Sequence, residues 1–317
     1  MDQKSKIPLV IIGPTASGKT KVATALAREL NGEVLGLDSR QIYRYLEIGT
    51  TQPTSEERKE IPHHLYGFRN PDQMISAGEY AKLGWEKIEE IFERGNLPIF
   101  CGGSGLYYRA LTQGIFEGSA TNLDIRKKLK DKLEKEGSSK LLEKLQIIDP
   151  EYAKIVHPHN HKRLIRALEI YETTGLSPSE HFKLQKGKQV RYSFFSVYLN
   201  LALNHLQNRI EHRTRYILEQ GWIDEVKLLI ERGYSVETHP IDSLGYKQII
   251  SHLEGKLGYD EMVDEIVLKT RQYAKKQIKW FKREDINLII DIIDNFSTND
   301  IVKIIVLEYK KHLRRDL

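Results

Sequence analysis

The sequence predicts an α/β fold, a parallel sheet flanked by helices and interrupted by a small helical insertion. Three observations predict it. The apolar run Leu9–Ile12 ends at Gly13, and Gly18-Lys19-Thr20 follows after four intervening residues, with Val22, Ala23, Leu26, Ala27 and Leu30 continuing at helical spacing. Short β-rich runs then alternate with stretches of helical period, the pattern of a parallel sheet. From about residue 118 to 190 that alternation stops and a charge-laced helical stretch takes its place. The first observation makes the core P-loop NTPase-like, because G-x-x-x-x-G-K-[ST] stands between a strand and a helix. The division is therefore 1–117 for the first part of the core, 118–190 for the insertion, and 191–317 for the second part with its basic helices.

The loop Gly13-Pro14-Thr15-Ala16-Ser17-Gly18-Lys19-Thr20 is suited to a di- or triphosphate. Its glycines let the backbone curl so that successive N–H groups point into one concavity, at the positive end of the following helix. Lys19 adds a point charge, and the Thr20 hydroxyl is placed to ligate Mg²⁺. The next strand, Gly32–Leu37, ends at Asp38-Ser39-Arg40-Gln41. Ligands of open α/β sheets sit at the carboxyl ends of strands. Asp38 is thus expected beside the phosphate cradle as Mg²⁺ ligand, general base or helix N-cap. His63-His64 lacks nearby Cys or carboxylate partners and is weak as a metal site. A helix is predicted over 76–94, then a buried strand Leu97–Cys101. The turn Gly102-Gly103-Ser104-Gly105-Leu106-Tyr107 follows, its small residues admitting a close approach by backbone or ligand.

In the insertion, helical patterns cover 123–145 and a segment from about Asn160 to Thr174-Gly175. The second carries Lys162, Arg163 and Arg166 beside Leu164, Ile165, Leu168 and Ile170. Such a basic face suits a polyanion or is simply a solvated helix face. His157, His159 and His161 alternate around Pro158, again a weak metal pattern. Tyr192–Leu199 returns the chain to the sheet. Asn204–Gly221 reads as a helix with Leu206, Ile210, Tyr216 and Ile217 inside and Arg209, Arg213 and Arg215 available. Further helices are expected over Ile223–Arg232 and from Leu244 onward. Residues 269–283 hold seven Lys or Arg and no acid, with Tyr273, Trp280 and Phe281 interleaved. That composition fits a nucleic-acid surface, with Trp280 itself a core residue. A last strand, Asn287–Ile293, and a short amphipathic helix close the chain.

Composition narrows the class. At 317 residues, 40% apolar and 29% charged, the chain can bury a core of one large or two modest domains. A net charge of +5 leans only mildly toward anionic partners. The single cysteine, Cys101, excludes a disulfide framework and fits the cytoplasm. Met1–Lys6 has no signal-peptide core. No apolar run approaches the roughly 20 residues that cross a bilayer, so no membrane association is expected.

The motifs, taken in order, resemble one family. They are GPTASGKT at Gly13–Thr20, Asp38-Ser39 with Gln41-Ile42-Tyr43, Gly49-Thr50 with Pro53, and Gly102–Tyr107. His157-Pro158 follows, then Arg163 and Arg166–Glu169, Gly245-Tyr246 with Gln248, and Thr270-Arg271-Gln272 with Ala274-Lys275 and Gln277. Over nearly its whole length the chain resembles the tRNA dimethylallyltransferase, or tRNA isopentenyltransferase, family of bacterial type. The resemblance implies transfer of a dimethylallyl group from dimethylallyl diphosphate to the exocyclic N6 amine of adenosine 37, with release of diphosphate. It implies that Gly13 to Thr20 hold the diphosphate, with Mg²⁺ at Thr20. Asp38 would accept the amine's proton, Ser104 would add a hydroxyl, and Arg209 or Arg213 would act as a second clamp. It also implies that Asp38, Ser39, Arg40, Gln41 and Ser104 meet the tRNA. Arg126 and the segment Lys162, Arg163, Leu164, Ile165, Arg166 would grip the anticodon stem-loop. Gly245, Tyr246, Lys247, Gln248, Arg271 and Lys275 would touch the same RNA. A cytoplasmic monomer is the expected state. The chain departs from the family pattern at three places: Thr51-Gln52 for Ala-Lys, Ser104 for threonine, and Asp242-Ser243 where an arginine is common. The remaining alternatives are a small-molecule P-loop kinase and an enzyme that prenylates free adenine nucleotides.

Overall fold

The computed structural model describes residues 7–115, 122–185, 191–292 and 296–315. The N-terminal Met1–Lys6, both edges expected for the insertion, and Ile293 lie outside the described residues. The strands are β1 (Leu9–Ile12), β2 (Gly32–Leu37), β3 (His63–His64), β4 (Leu97–Gly102), β5 (Phe195–Leu201) and β6 (Leu288–Ile292). The first helices are α1 (Lys19–Leu30), α2 (Ser55–Glu60), α3 (Ala77–Glu93), α4 (Gly105–Gln113), α5 (Leu123–Ile148), α6 (Pro150–Ala153), α7 (His161–Thr174) and α8 (Pro178–Gln185). The remaining helices are α9 (Leu203–Glu219), α10 (Trp222–Glu231), α11 (Tyr246–Leu253), α12 (Tyr259–Phe281) and α13 (Thr298–Arg315).

Two compact units result. One comprises Met1–Ile75, Lys82–Thr112 and Tyr192–Leu317; the other comprises Ser76–Ala81 and Gln113–Arg191. The larger unit carries one parallel sheet in the order β3-β2-β4-β1-β5-β6. The four residues of β1 are completely buried, which is why that strand reads as an unbroken apolar run. At the edge, β6 alternates between exposed and buried positions. The chain leaves β1 for β2 on one side of the sheet and crosses after β4 to β5 on the other. The crevice beyond the carboxyl ends of β1 and β4 lies at that reversal, where open α/β sheets bind ligands. The P-loop follows β1 there, and the Gly102–Ser104 turn follows β4.

The smaller unit is helical. Leu129, Leu141 and Leu145 from α5 pack with Ala153, Val156, Leu164, Ile165 and Leu168. The α5 helix breaks at Gly137, whose φ of 79° is left-handed. The Asn160 side chain caps α7 by accepting from Arg163 N–H at 3.2 Å, and Gly175 ends it with φ 75°. This corrects the placement of Leu164 and Ile165 against RNA. They are the fourth and fifth residues after the cap, on the side that packs inward, and both are buried.

Four local differences from the sequence-based expectations have simple causes. The β5 strand starts at Phe195 rather than Tyr192 and continues to Leu201, because its register follows β1 and β6. The two-residue β3 and the six-residue α2 are too short to leave a periodic signal. Tyr216 is 60% exposed, on the solvent side of α9, not inside. The final helix is 18 residues long.

Candidate active site

The P-loop takes its curl from two left-handed residues, Ala16 at φ 63° and Gly18 at φ 88°, between β1 and α1. Lys19 donates from Nζ to the Pro14 carbonyl at 2.7 Å, so its side chain lies along its own loop. Burial, opposed in part by Cys101 and Asp38, lowers its pKa to about 8. The Thr15 N–H donates to Gln277 Oε1 at 2.8 Å, while Gln277 Nε2 donates to the Gly103 carbonyl at 2.9 Å. One buried glutamine on α12 therefore ties the P-loop to the second glycine turn.

That second turn is filled by protein. A Cβ on Gly102 would lie 2.0 Å from the Leu37 carbonyl oxygen, and one on Gly103 would lie 2.3 Å from Gln277 Nε2. The small residues admit neighbouring strands and helices, and no opening for a ligand remains at these two positions. Ser104 is buried, and its Oγ accepts from Ser39 N–H at 2.9 Å. Its N–H donates to the Leu37 carbonyl at 3.2 Å. Ser104 thus braces the turn that carries Asp38 and does not line the cavity.

Asp38 sits at the end of β2, half-buried. No helix starts there, so the helix-cap alternative fails. Its Oδ1 instead accepts from Arg40 N–H at 2.9 Å, which closes a tight turn. Among the described residues this is the hydrogen bond that reaches the carboxylate. The Arg40 guanidinium in turn donates to the His239 carbonyl at 3.2 Å. Asp38, Ser39 and Arg40 share one cavity of about 370 Å³ with Thr15, Gly49, Thr50, Arg213, Trp222, Tyr246 and Tyr273. Arg213 reaches from α9 to the Thr15 hydroxyl and donates to Thr51 Oγ1 at 2.8 Å. Burial lowers the Arg213 pKa, with Asp38 opposing. Arg209 is exposed one turn earlier and does not line this cavity, which leaves Arg213 as the guanidinium beside the P-loop.

The cavity lining combines Thr15 and Arg213 at the P-loop with Asp38, Trp222 and Tyr273, groups that suit an anion and an aromatic ring. Burial raises the Tyr273 phenol well above its ordinary value, so it stays neutral and able to donate. Burial pushes the Cys101 thiol, hydrogen-bonded to Thr20, up to about 11, so it is no nucleophile. Thr20 is an exposed residue on the first turn of α1, and its side chain bonds that thiol. Among the described residues no group of three or more His, Cys, Asp or Glu could form a metal cage.

Comparison with known proteins assigns the family. A family model described as IPP transferase matches residues 41–284. The tRNA dimethylallyltransferase of Thermotoga neapolitana is 43% identical over 86% of this chain and 88% of its own length. That of Alkaliphilus oremlandii is 40% identical over 96% of this chain and 97% of its own. The chain belongs to the IPP transferase family, the tRNA dimethylallyltransferases. The crystal structure of the tRNA isopentenylpyrophosphate transferase from Bacillus halodurans superposes with a TM-score of 0.69 at 33% identity, covering 98% of this chain and 99% of that one. A eukaryotic dimethylallyltransferase acting on tRNA gives a TM-score of 0.80 at 28% identity, over 97% of this chain and 80% of that one.

For a tRNA dimethylallyltransferase, the remaining residues expected at the RNA divide into two groups. Lys162, Arg163, Lys247 and Lys275 are exposed, and Arg271 is half-buried on α12. Arg126 and Arg166, by contrast, converge on buried Glu169 at 2.8 and 2.9 Å, where they neutralise its charge. Tyr246 and Gln248 are buried. Tyr246 forms cavity wall, and Gln248 Oε1 accepts from Gly245 N–H at 2.9 Å, which stabilises the start of α11. Gln41 donates to the Thr50 and Thr51 carbonyls at 2.9 and 3.1 Å, so it shapes the cavity rim from behind. Sequence reasoning placed Tyr273 and Gln277 on a basic RNA-facing segment and left Trp222 between two expected helices; Trp222 and Tyr273 line the cavity, and Gln277 ties the P-loop to the glycine turn. The spacing of Tyr273 and Gln277, one turn apart on α12, carried that signal.

Proposed function

We propose that this chain transfers the dimethylallyl group of dimethylallyl diphosphate to N6 of adenosine 37 in the anticodon stem-loop of tRNA, releasing diphosphate. The observation that carries the reading is a single cavity bounded by the P-loop Thr15, by Arg213 and by the Asp38 carboxylate. Leaving-group stabiliser and base candidate thus face the same space. The diphosphate lies on the loop Gly13–Thr20. As the allylic C–O bond breaks, its electron pair moves to the diphosphate oxygen. Backbone N–H groups, Lys19 and Arg213 stabilise the charge where it develops. The N6 lone pair forms the new C–N bond, and Asp38 takes the proton that the amine loses. Ser104 keeps Asp38 in place through Ser39. The adenine must leave its stack to reach this site.

Mg²⁺ fits the donor set. Thr20, on the first turn of α1 and without a protein cage around it, suits an ion that binds mainly to substrate phosphates. Bound there, Mg²⁺ would neutralise diphosphate charge. Exposed Lys269, Lys275, Lys276 and Lys279 on α12, Lys282 just after it, and Lys162 and Arg163 on α7 supply phosphate contacts to RNA. A monomeric state is part of this proposal. No described helix is long and apolar enough to cross a membrane, and we place the enzyme in the cytoplasm with its tRNA.

The test is transfer of radiolabel from dimethylallyl diphosphate, with Mg²⁺, into unmodified tRNA bearing adenosine 37, with AMP and ATP in parallel tubes. Label in tRNA alone is expected. Label in free nucleotide would make the protein a nucleotide prenyltransferase, and ATP turnover without label in either would make it a kinase.

A further inference from the structure

Glu225 on α10 does not itself line the cavity, yet it is buried at 8% exposure and its carboxylate is fully engaged. Oε2 accepts from Glu47 N–H at 2.7 Å and from Ile48 N–H at 2.6 Å. Oε1 accepts from Gly49 N–H at 3.1 Å and from the Tyr246 hydroxyl at 2.8 Å. Three consecutive amides and one phenol on a single carboxylate fix a loop as firmly as an oxyanion is held by an anion nest. Trp222, one turn before Glu225, presses on the same loop: a Cβ on Gly49 would meet its Nε1 at 1.9 Å.

The clamp continues through the loop to the site. Thr51 N–H donates to the Ile48 carbonyl at 3.0 Å, closing a turn on the residues that Glu225 holds. Thr51 has φ 53°, a left-handed conformation that a β-branched residue adopts only where its surroundings impose it. Its hydroxyl accepts from Arg213, the same guanidinium that bonds the P-loop Thr15.

We propose that Glu225 is a positioning residue for the transfer, acting through residues 47–51 and the Thr51 hydroxyl to aim Arg213 across the P-loop. The inference rests on the proposed function for its role in turnover, but the geometry it describes concerns any diphosphate on the loop. It also gives a use to the hydroxyl of Thr51, which stands where the family pattern has alanine.

The experiment uses the full-length chain and inorganic pyrophosphate with Mg²⁺, with binding measured by calorimetry, alongside donor kinetics with tRNA. Loss of one charge-assisted hydrogen bond to Arg213 should weaken pyrophosphate by about five- to tenfold in Thr51→Ala. Thr51→Ser should restore it. Glu225→Ala should weaken it at least as much, and Thr51→Ala in that background should add little, because both act on one linkage. If Glu225→Ala does not fold, Glu225→Gln, which loses an acceptor at one oxygen, takes its place and should show the smaller loss. Wild-type pyrophosphate affinity in Thr51→Ala, or losses that multiply in the double variant, would overturn the inference. Weakened pyrophosphate binding in a protein that labels no tRNA would keep the linkage and sink the transfer reading instead.

Discussion

Lys19 shows how one residue couples burial to binding. Its ammonium is held at about 8 because the folded loop strips it of water, while the Pro14 carbonyl gives it a partner. A bound diphosphate favours the charged form, so the pKa rises on binding. Affinity is then full below pH 8 and falls as pH rises through the free-enzyme value. We expect kcat/KM for dimethylallyl diphosphate to descend with an apparent pKa near 8. Lys19→Arg should move that limb beyond the measurable range, and a flat profile from pH 7 to 9.5 in the parent would exclude Lys19 as the group responsible. The identity of this lysine was plain from the motif. The Arg213 charge, which also lowers the Lys19 pKa, was not, because no spacing rule links residues 19 and 213.

At the scale of elements, α7 separates two roles that share one short sequence. Lys162 and Arg163 are exposed in its first turn, whereas Leu164 and Ile165 enter the core of the helical unit. Leu164→Ala should destabilise that unit by about 3 kcal/mol, the usual result of a core truncation with residual cavity. It should weaken RNA binding only as far as it unfolds the unit. Lys162→Ala with Arg163→Ala should leave the denaturation midpoint unchanged and lower tRNA affinity, with a shallower dependence on salt. Equal RNA affinity in the double variant would remove this turn from the interface. Helix existence here was legible from the cap Asn160, the apolar spacing and Gly175. Arg126 and Arg166 also pair with Glu169: the partner 43 residues from Arg126 has no mark in the sequence, whereas the three-residue step from Arg166 to Glu169 on one helix was there to be read.

Across the whole molecule, the sheet brings together the carboxyl ends of β1, β2 and β4, and with them Thr15, Asp38 and Ser104. That much followed from an apolar run ending in a glycine loop, a strand ending in an acid, and a second strand ending in glycines. The sequence order of motifs also identified the family. The far wall of the cavity was harder to foresee. Trp222, Tyr246, Thr270 and Tyr273 come from α10 to α12, more than 150 residues beyond Asp38 in the chain. Their placement depends on how those helices pack onto the sheet, which no local pattern encodes. Asp38 is the point where the two halves of the cavity meet.

The most direct measurement is therefore made on Asp38→Ala. Its affinity for unmodified tRNA and its single-turnover rate of dimethylallyl transfer should be compared with the parent. The expected result is tRNA affinity within about twofold, since the phosphate contacts lie elsewhere, and a rate lower by about 10²–10⁴-fold, the usual contribution of a positioned general base. A rate within tenfold of the parent would contradict it, and would mean that the proton leaves N6 by another route.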